Sequence, residues 1–203
     1  MRGKAVALLL TLALSAAWLV AQSPAAKTLS IYVIDVEGGN AQLWVMPSGE
    51  SVIIDTGNGY TEAEKGRGPV AIRDADRIMA AVKAAGVKQI DHLITTHFHG
   101  DHFGALIELA ARIPVKNFVD HGPIVQHSAL ADAFYQQYSE LAGTAKHTVP
   151  KPGDKLPVSG VDWRIVNVSE QQIKTRLPGA PDAGAPNPNC AGFIRHDANP
   201  VLF

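Results

Sequence analysis

The sequence predicts an α/β domain that opens with antiparallel strands and continues as alternating strands and helices. Three observations carry this. Short runs rich in β-branched and aromatic residues recur between turn signals from Leu29 onward. Apolar residues spaced by three and four mark amphipathic helices between the later strands. A content of 46% apolar and 18% charged residues in 203 describes a globular chain long enough for one domain with a sizeable core.

The elements follow in order. Arg2 and Lys4 precede an uncharged run from Ala5 to Ala21, with small residues after it, which is the pattern of a signal peptide over 1–25 cleaved after Ala21 or Ala25. Export to the periplasm or the exterior is therefore expected, with no membrane contact once the leader is gone. The run is also about as long as a short membrane span, so an uncleaved N-terminal anchor is the alternative.

The domain is expected over 26–177. Leu29 to Val36 reads as a strand broken by the turn residues Gly38, Gly39 and Asn40; Ala41 to Met46 and Ser51 to Ile54 repeat the pattern around Pro47-Ser48-Gly49. Asp55-Thr56-Gly57 ends this meander in a loop. Ala75, Ile78, Met79, Val82 and Ala85 predict a helix stopped at Gly86. Ile90 to Thr96 is a strand, Phe103, Leu106, Ile107 and Ala110 predict a helix ended by Pro114, and Val115 to Val119 is again a strand. Leu130, Phe134, Tyr138 and Leu141 mark a further helix closed by Gly143, and Trp163 to Val168 a last strand. Beyond it, 178–203 is a Pro-rich irregular tail without period.

Charge and cysteine content exclude several functions. Eighteen Lys plus Arg against 19 Asp plus Glu leave no strong nucleic-acid patch. No Gly-rich nucleotide loop of the Walker type is present. Cys190 is the single cysteine, so neither an internal disulfide nor a thiolate-rich zinc finger can form, and a metal site must be built from imidazoles and carboxylates.

Such a set exists in Thr95-Thr96-His97-Phe98-His99-Gly100-Asp101-His102, between a strand and a helix. Side chains at i and i+2 of an extended segment point the same way, so His97 and His99 can close on one ion. Gly100 lets the chain turn. Asp101 and His102 then open the helix, where its dipole favours a carboxylate, and can face a second ion. Imidazole and carboxylate donors suit zinc, and iron or manganese accept the same set. Two adjacent ions would hold a hydroxide and polarise the bond under attack, which is hydrolytic chemistry.

His-x-His-x-Asp-His after a strand, with Ile53-Ile54-Asp55-Thr56-Gly57 upstream, resembles the metallo-β-lactamase superfamily. The run Val33-Ile34-Asp35-Val36-Glu37-Gly38-Gly39-Asn40-Ala41 is similar to the hydrolase domain of competence-type DNA-uptake proteins and its stand-alone relatives. The similarity spans about Leu29 to His121. It implies His97 and His99 on a first zinc, Asp101 and His102 on a second, Asp101 also orienting the nucleophile, and Asp55 as a supporting residue that orients the histidine loop. It further implies an αββα sandwich of two similar halves, of which this chain carries the first. The later ligands, a third histidine, a bridging aspartate and a final histidine, have no counterpart in the Pro-rich end. A truncated chain is the expected explanation; completion of the site by another chain, or a homodimer, is the alternative. A half-sandwich would leave one sheet face without partner strands.

His121, in Asp120-His121-Gly122 after a strand, is a candidate for the pocket or simply a turn residue. His196 lies far enough downstream to stand in for a third metal histidine, although its irregular tail favours a residue without a metal role; His92 reads as a core or face residue, and His127 and His147 as solvated. The expected function is a zinc hydrolase acting through metal-bound hydroxide on an ester, amide or phosphodiester in a small-molecule or phosphodiester substrate. A lactam or lactone hydrolase is the alternative within the class. A non-catalytic metal-binding or interaction module and an oxygen-using iron protein are the rivals outside it.

Overall fold

A computed structural model of the chain describes residues 28–36, 38–59, 70–168 and 171–173. The leader expected over 1–25, the tail expected over 178–203, Glu37 and His196 lie outside the described residues.

Strands β1 (Ser30–Val33), β2 (Ala41–Val45) and β3 (Ser51–Thr56) form the expected antiparallel meander. Helix α1 (Val70–Ala84) follows, then β4 (His92–Ile94), two short helices α2 (Gly100–Phe103) and α3 (Leu106–Ala110), β5 (Asn117–Val119), helix α4 (Ala129–Ala142) and β6 (Lys146–Thr148). All six strands make one sheet in sequence order, and β3 to β6 run parallel. A small separate hairpin pairs β7 (Asn167–Val168) with β8 (Gln171–Gln172).

One sheet face carries the helices. Ala75, Ile78 and Val82 of α1 fall on one stripe and are buried with Leu43, Ile53 and Leu93; Leu106 and Leu109 of α3 and Tyr138 and Ala142 of α4 join the same core. The carbonyls of Val82 and Lys83 are met by the amides of Val87 and Gly86, a glycine-type helix stop at the expected position.

Three expectations need correction. The single helix expected from Phe103 to Ala110 is two, because the chain breaks at Gly104 and Ala105. The reason is a close backbone approach: a Cβ on Gly104 would stand 1.8 Å from the Gly59 nitrogen and 2.3 Å from the Gly100 oxygen. Gly104 N–H donates to Gly57 O at 3.0 Å and Gly59 N–H to Gly100 O at 3.0 Å, so the loop leaving β3 is laced to the loop leaving β4. The apolar periodicity continues across that break, which is why it reads as one helix.

Strand β6 was absent from the expected order, since Lys146-His147-Thr148 has no apolar run; its backbone pairing with Asn117 to Val119 holds it. The strand expected over Trp163 to Val168 is paired as a strand only at Asn167–Val168. Its first part does different work. Leu156 N–H donates to Trp163 O at 3.0 Å and Ile165 N–H to Asp154 O at 2.8 Å, which folds this segment back on itself. Leu156 and Trp163 then pack with Met46, Val52, Ile54, Ile94 and Val119 on the second sheet face. Among the described residues that face is covered at its centre, while toward the β1 edge Ile31 is 47% and Val33 81% exposed.

Candidate functional site

Because β3, β4 and β5 are parallel, their C-terminal ends share one sheet edge, the place where open α/β sheets assemble sites. Asp55 lies at the end of β3, Thr96 and His97 just beyond β4, and Asp120 and His121 just beyond β5.

Asp55 is buried and sits at φ 58°, a left-handed conformation that non-glycine residues seldom adopt. The register explains it. Ala41 pairs with Thr56 and Gln42 with Ile54, leaving Asp55 as the extra residue of a bulge, which re-aims its side chain. Its Oδ1 accepts the Thr96 N–H at 2.8 Å. Its Oδ2 accepts from Thr96 Oγ1 at 2.8 Å, His102 Nδ1 at 2.8 Å and Asn40 Nδ2 at 3.1 Å. The carboxylate thus ties the first and last residues of the turn together.

A second clamp comes from the meander. A Cβ on Gly39 would lie 1.7 Å from Asp101 O, and Asn40 N–H approaches the same oxygen at 3.3 Å. Glycine at 39 is what lets the first loop press against the start of α2.

The hydrogen bonds assign the imidazole tautomers. Thr96 Oγ1 spends its proton on Asp55, so it accepts at 3.0 Å from His97 Nδ1, leaving the His97 Nε2 lone pair outward. His102 likewise donates from Nδ1 to Asp55 and presents Nε2, 3.9 Å from Asp101 Oδ2. His99 contacts Gln126 Oε1 through Nε2 at 3.0 Å, which turns its Nδ1 inward. His97 Nε2 and His99 Nδ1 then face each other at 3.1 Å. Two ring nitrogens so placed share either a proton, as a hydrogen bond, or a metal ion. Their separation is close to the edge of a tetrahedron with ~2.0–2.1 Å metal–nitrogen bonds, about 3.3 Å.

The rings of His97 and His102 are also adjacent, with centroids 4.0 Å apart. Burial, and then the neighbouring His102 and His99, push His97 down to about 4, so it is neutral near pH 7. Burial opposes charge on His102 as well, but the Asp55 hydrogen bond and the Asp101 carboxylate outweigh it and raise its pKa. Among the described residues, no three His, Cys, Asp or Glu side chains converge on one point. The donors stand as the His97–His99 pair with Asp101 and His102 beside it. Their chemistry and the facing ring nitrogens fit a divalent cation; among the described residues a complete coordination shell is not assembled.

His121 is buried, with its ring centroid 5.0 Å from that of Phe98, and lines a small cavity with His99, Ile124 and Gln126. Burial lowers its pKa. His92 is buried and bonded to Asn117 at 3.0 Å, as a core histidine. His127 is exposed and pairs with Asp132 at 2.7 Å. His147 corrects the solvated reading: although partly exposed, its Nε2 lies 2.7 Å from the buried Asp120, which also accepts from Tyr138 Oη.

Sequence reasoning missed Thr96, Asn40 and Gln126. Thr96 was visible only as a motif neighbour and Asn40 as a turn residue. Gln126 carried no signal, since its contact with His99 spans 27 positions.

An α/β sheet that gathers histidines and carboxylates at its parallel strand ends is the framework of a metal-binding protein. The chain belongs to the metallo-beta-lactamase superfamily, whose family model matches residues 35–183. It is similar to a UPF0173 metal-dependent hydrolase from Staphylococcus saprophyticus, at 29% identity over 97 residues, 46% of this chain and 31% of the relative. Among solved structures it is similar to a metallo-beta-lactamase motif mutant from Cronobacter sakazakii (15% identity, TM-score 0.42, 68% of this chain and 50% of the other). It is also similar to a flavo di-iron protein mutant from Thermotoga maritima (18% identity, TM-score 0.36, 66% and 35%). The chain spans about a third of the curated relative's length and half or less of these solved chains.

Proposed function

We propose that this protein is a zinc-dependent hydrolase whose metal is held by His97 and His99, with Asp101 and His102 contributing to a second position. The observation that carries the reading is the pair of imidazole ring nitrogens, His97 Nε2 and His99 Nδ1, facing each other at 3.1 Å beside a half-exposed carboxylate. The curated relative's description as a metal-dependent hydrolase supports the same class.

Zinc, when bound, supplies Lewis acidity that polarises a carbonyl or phosphoryl group and eases deprotonation of water. The chain's own residues do the rest. Asp55 holds His102 in the tautomer that presents Nε2, and Thr96 does the same for His97. The Asp101 carboxylate, 47% exposed, is the group able to accept a proton from an attacking water. An ester, amide or phosphodiester substrate fits this chemistry, with a lactam or lactone as a narrower choice. Export behind the leader at 1–25 belongs to the same reading.

The second reading, a metal-binding module without turnover, draws on the absence of three converging donors among the described residues. Metal analysis of purified protein, run with a generic phosphodiester, an ester and a chromogenic lactam, separates the two. Zinc uptake with turnover that is lost in His97→Ala and restored by no other divalent ion supports the hydrolase. Zinc uptake without turnover of any substrate supports the module, and no zinc uptake by folded protein overturns both.

A further inference from the structure

We propose that Asn40, Gln42 and Trp44 form a one-way ladder of neutral hydrogen bonds that positions Asp55, and through it the zinc-facing nitrogen of His102. This rests on the zinc reading of the His97–His102 turn. The three residues alternate along one strand and its entry, so their side chains stand on the same sheet face. Trp44 Nε1 donates to Gln42 Oε1 at 2.9 Å, Gln42 Nε2 to Asn40 Oδ1 at 3.0 Å, and Asn40 Nδ2 to Asp55 Oδ2 at 3.1 Å.

The two ends decide the direction. An indole N–H can only donate and a carboxylate can only accept. Two amides strung between them have a single orientation that satisfies every contact, each presenting oxygen toward Trp44 and nitrogen toward Asp55. Neither amide can flip without setting oxygen against oxygen or nitrogen against nitrogen.

The site has a use for this. Thr96 and His102 pull on Asp55 from the side of the histidine turn, and Asn40 is the side chain that holds the carboxylate from the meander. Asp55 is a bulge residue at φ 58°, so its own strand pairing does not fix it. A neutral donor steers the carboxylate without cancelling its charge, whereas a lysine or arginine there would compete with His102 for it. Trp44 anchors the far end by packing on Trp163, with centroids 4.9 Å apart.

The test measures zinc affinity and metal-free stability separately, by competition with a chromophoric chelator and by urea unfolding. Asn40→Ala removes the last donor. Gln42→Glu keeps the shape but accepts where Gln42 donates, which turns the Asn40 amide around and sets its oxygen against Asp55. Both variants are expected to weaken zinc binding by ~10–100-fold, the range for residues that orient ligands, a loss larger than any accompanying fall in metal-free urea stability accounts for. The 15N shifts of His102 in metal-free protein should also move toward a mixture of tautomers.

Wild type that binds zinc alongside variants within twofold of its affinity overturns the ladder and leaves the zinc reading standing. Affinity lost only in step with metal-free stability overturns it too, because a structural role suffices. Wild type that takes up no zinc overturns the zinc reading and the ladder's purpose together. If Asn40→Ala does not fold, Gln42→Glu and Trp44→Phe, which keeps the ring packing and removes the first donor, decide the question by the same affinity and His102 shift.

Discussion

Asp55 Oδ2 lies 2.8 Å from His102 Nδ1, joining the bulge at the end of β3 to a helix start 47 residues later. The same carboxylate takes both the amide and the hydroxyl of Thr96, so one buried group fixes the turn on two sides. Asp55→Ala should therefore cost about 3 kcal/mol in metal-free protein, since several buried donors lose a charged acceptor at once. Urea unfolding at pH 7 measures it, and a loss below about 1 kcal/mol would show that these donors find other partners.

Gly104 is where the loops after β3 and β4 touch, and an added methyl would meet the Gly59 backbone at 1.8 Å. Backbone cannot retreat as a flexible side chain does. Gly104→Ala is expected to cost about 3 kcal/mol or more, at the upper end for overpacking. Gly49→Ala is the control: its φ is 93° but nothing lies within 4 Å of the added atom, so only the conformational cost of about 1–2 kcal/mol applies. Equal thermal shifts for the two would sink the close-approach argument.

His92 is buried against Asn117, and burial lowers its pKa below the ordinary 6.5. Between the folded and unfolded values the unfolded chain binds more protons, so this residue's contribution to stability falls as pH drops below about 6.5. His92→Gln should flatten part of the acid side of the metal-free stability profile. A profile of unchanged slope between pH 7 and 5 in that variant would assign the acid loss to other groups.

Tyr138 and His147 share the Asp120 carboxylate from opposite degrees of burial. Tyr138 is 1% exposed and burial drives its pKa upward, whereas the His147 side chain is 39% exposed. Tyr138→Phe should cost about 1.5–3 kcal/mol, as for a buried bond to a charged group, and His147→Ala under about 1 kcal/mol. Comparing their urea midpoints tests this, and a reversed order would mean the edge strand depends on His147 more than exposure allows.

The donor types and their spacing were legible in the sequence, because a strand end, a glycine and a helix start are local events. His97, His99, Asp101 and His102 needed no knowledge of distant residues to be noticed. The meander, α1 and α4 were equally readable, since apolar period and turn residues act within a few positions. Strand β6 was not, because a polar edge strand is defined by the neighbour it pairs with, and Lys146-His147-Thr148 carries no pattern of its own.

By itself, then, the sequence determined an α/β chain with a histidine-rich turn between a strand and a helix, because residue chemistry and short-range geometry suffice for both. Only the tertiary structure decided which ring nitrogens face inward, that Asn40 and Thr96 serve Asp55, and that Trp163 covers the second sheet face. Those outcomes come from parallel strand ends and a bulge that bring residues tens of positions apart within hydrogen-bond distance. No local pattern encodes which partner a buried polar group will find.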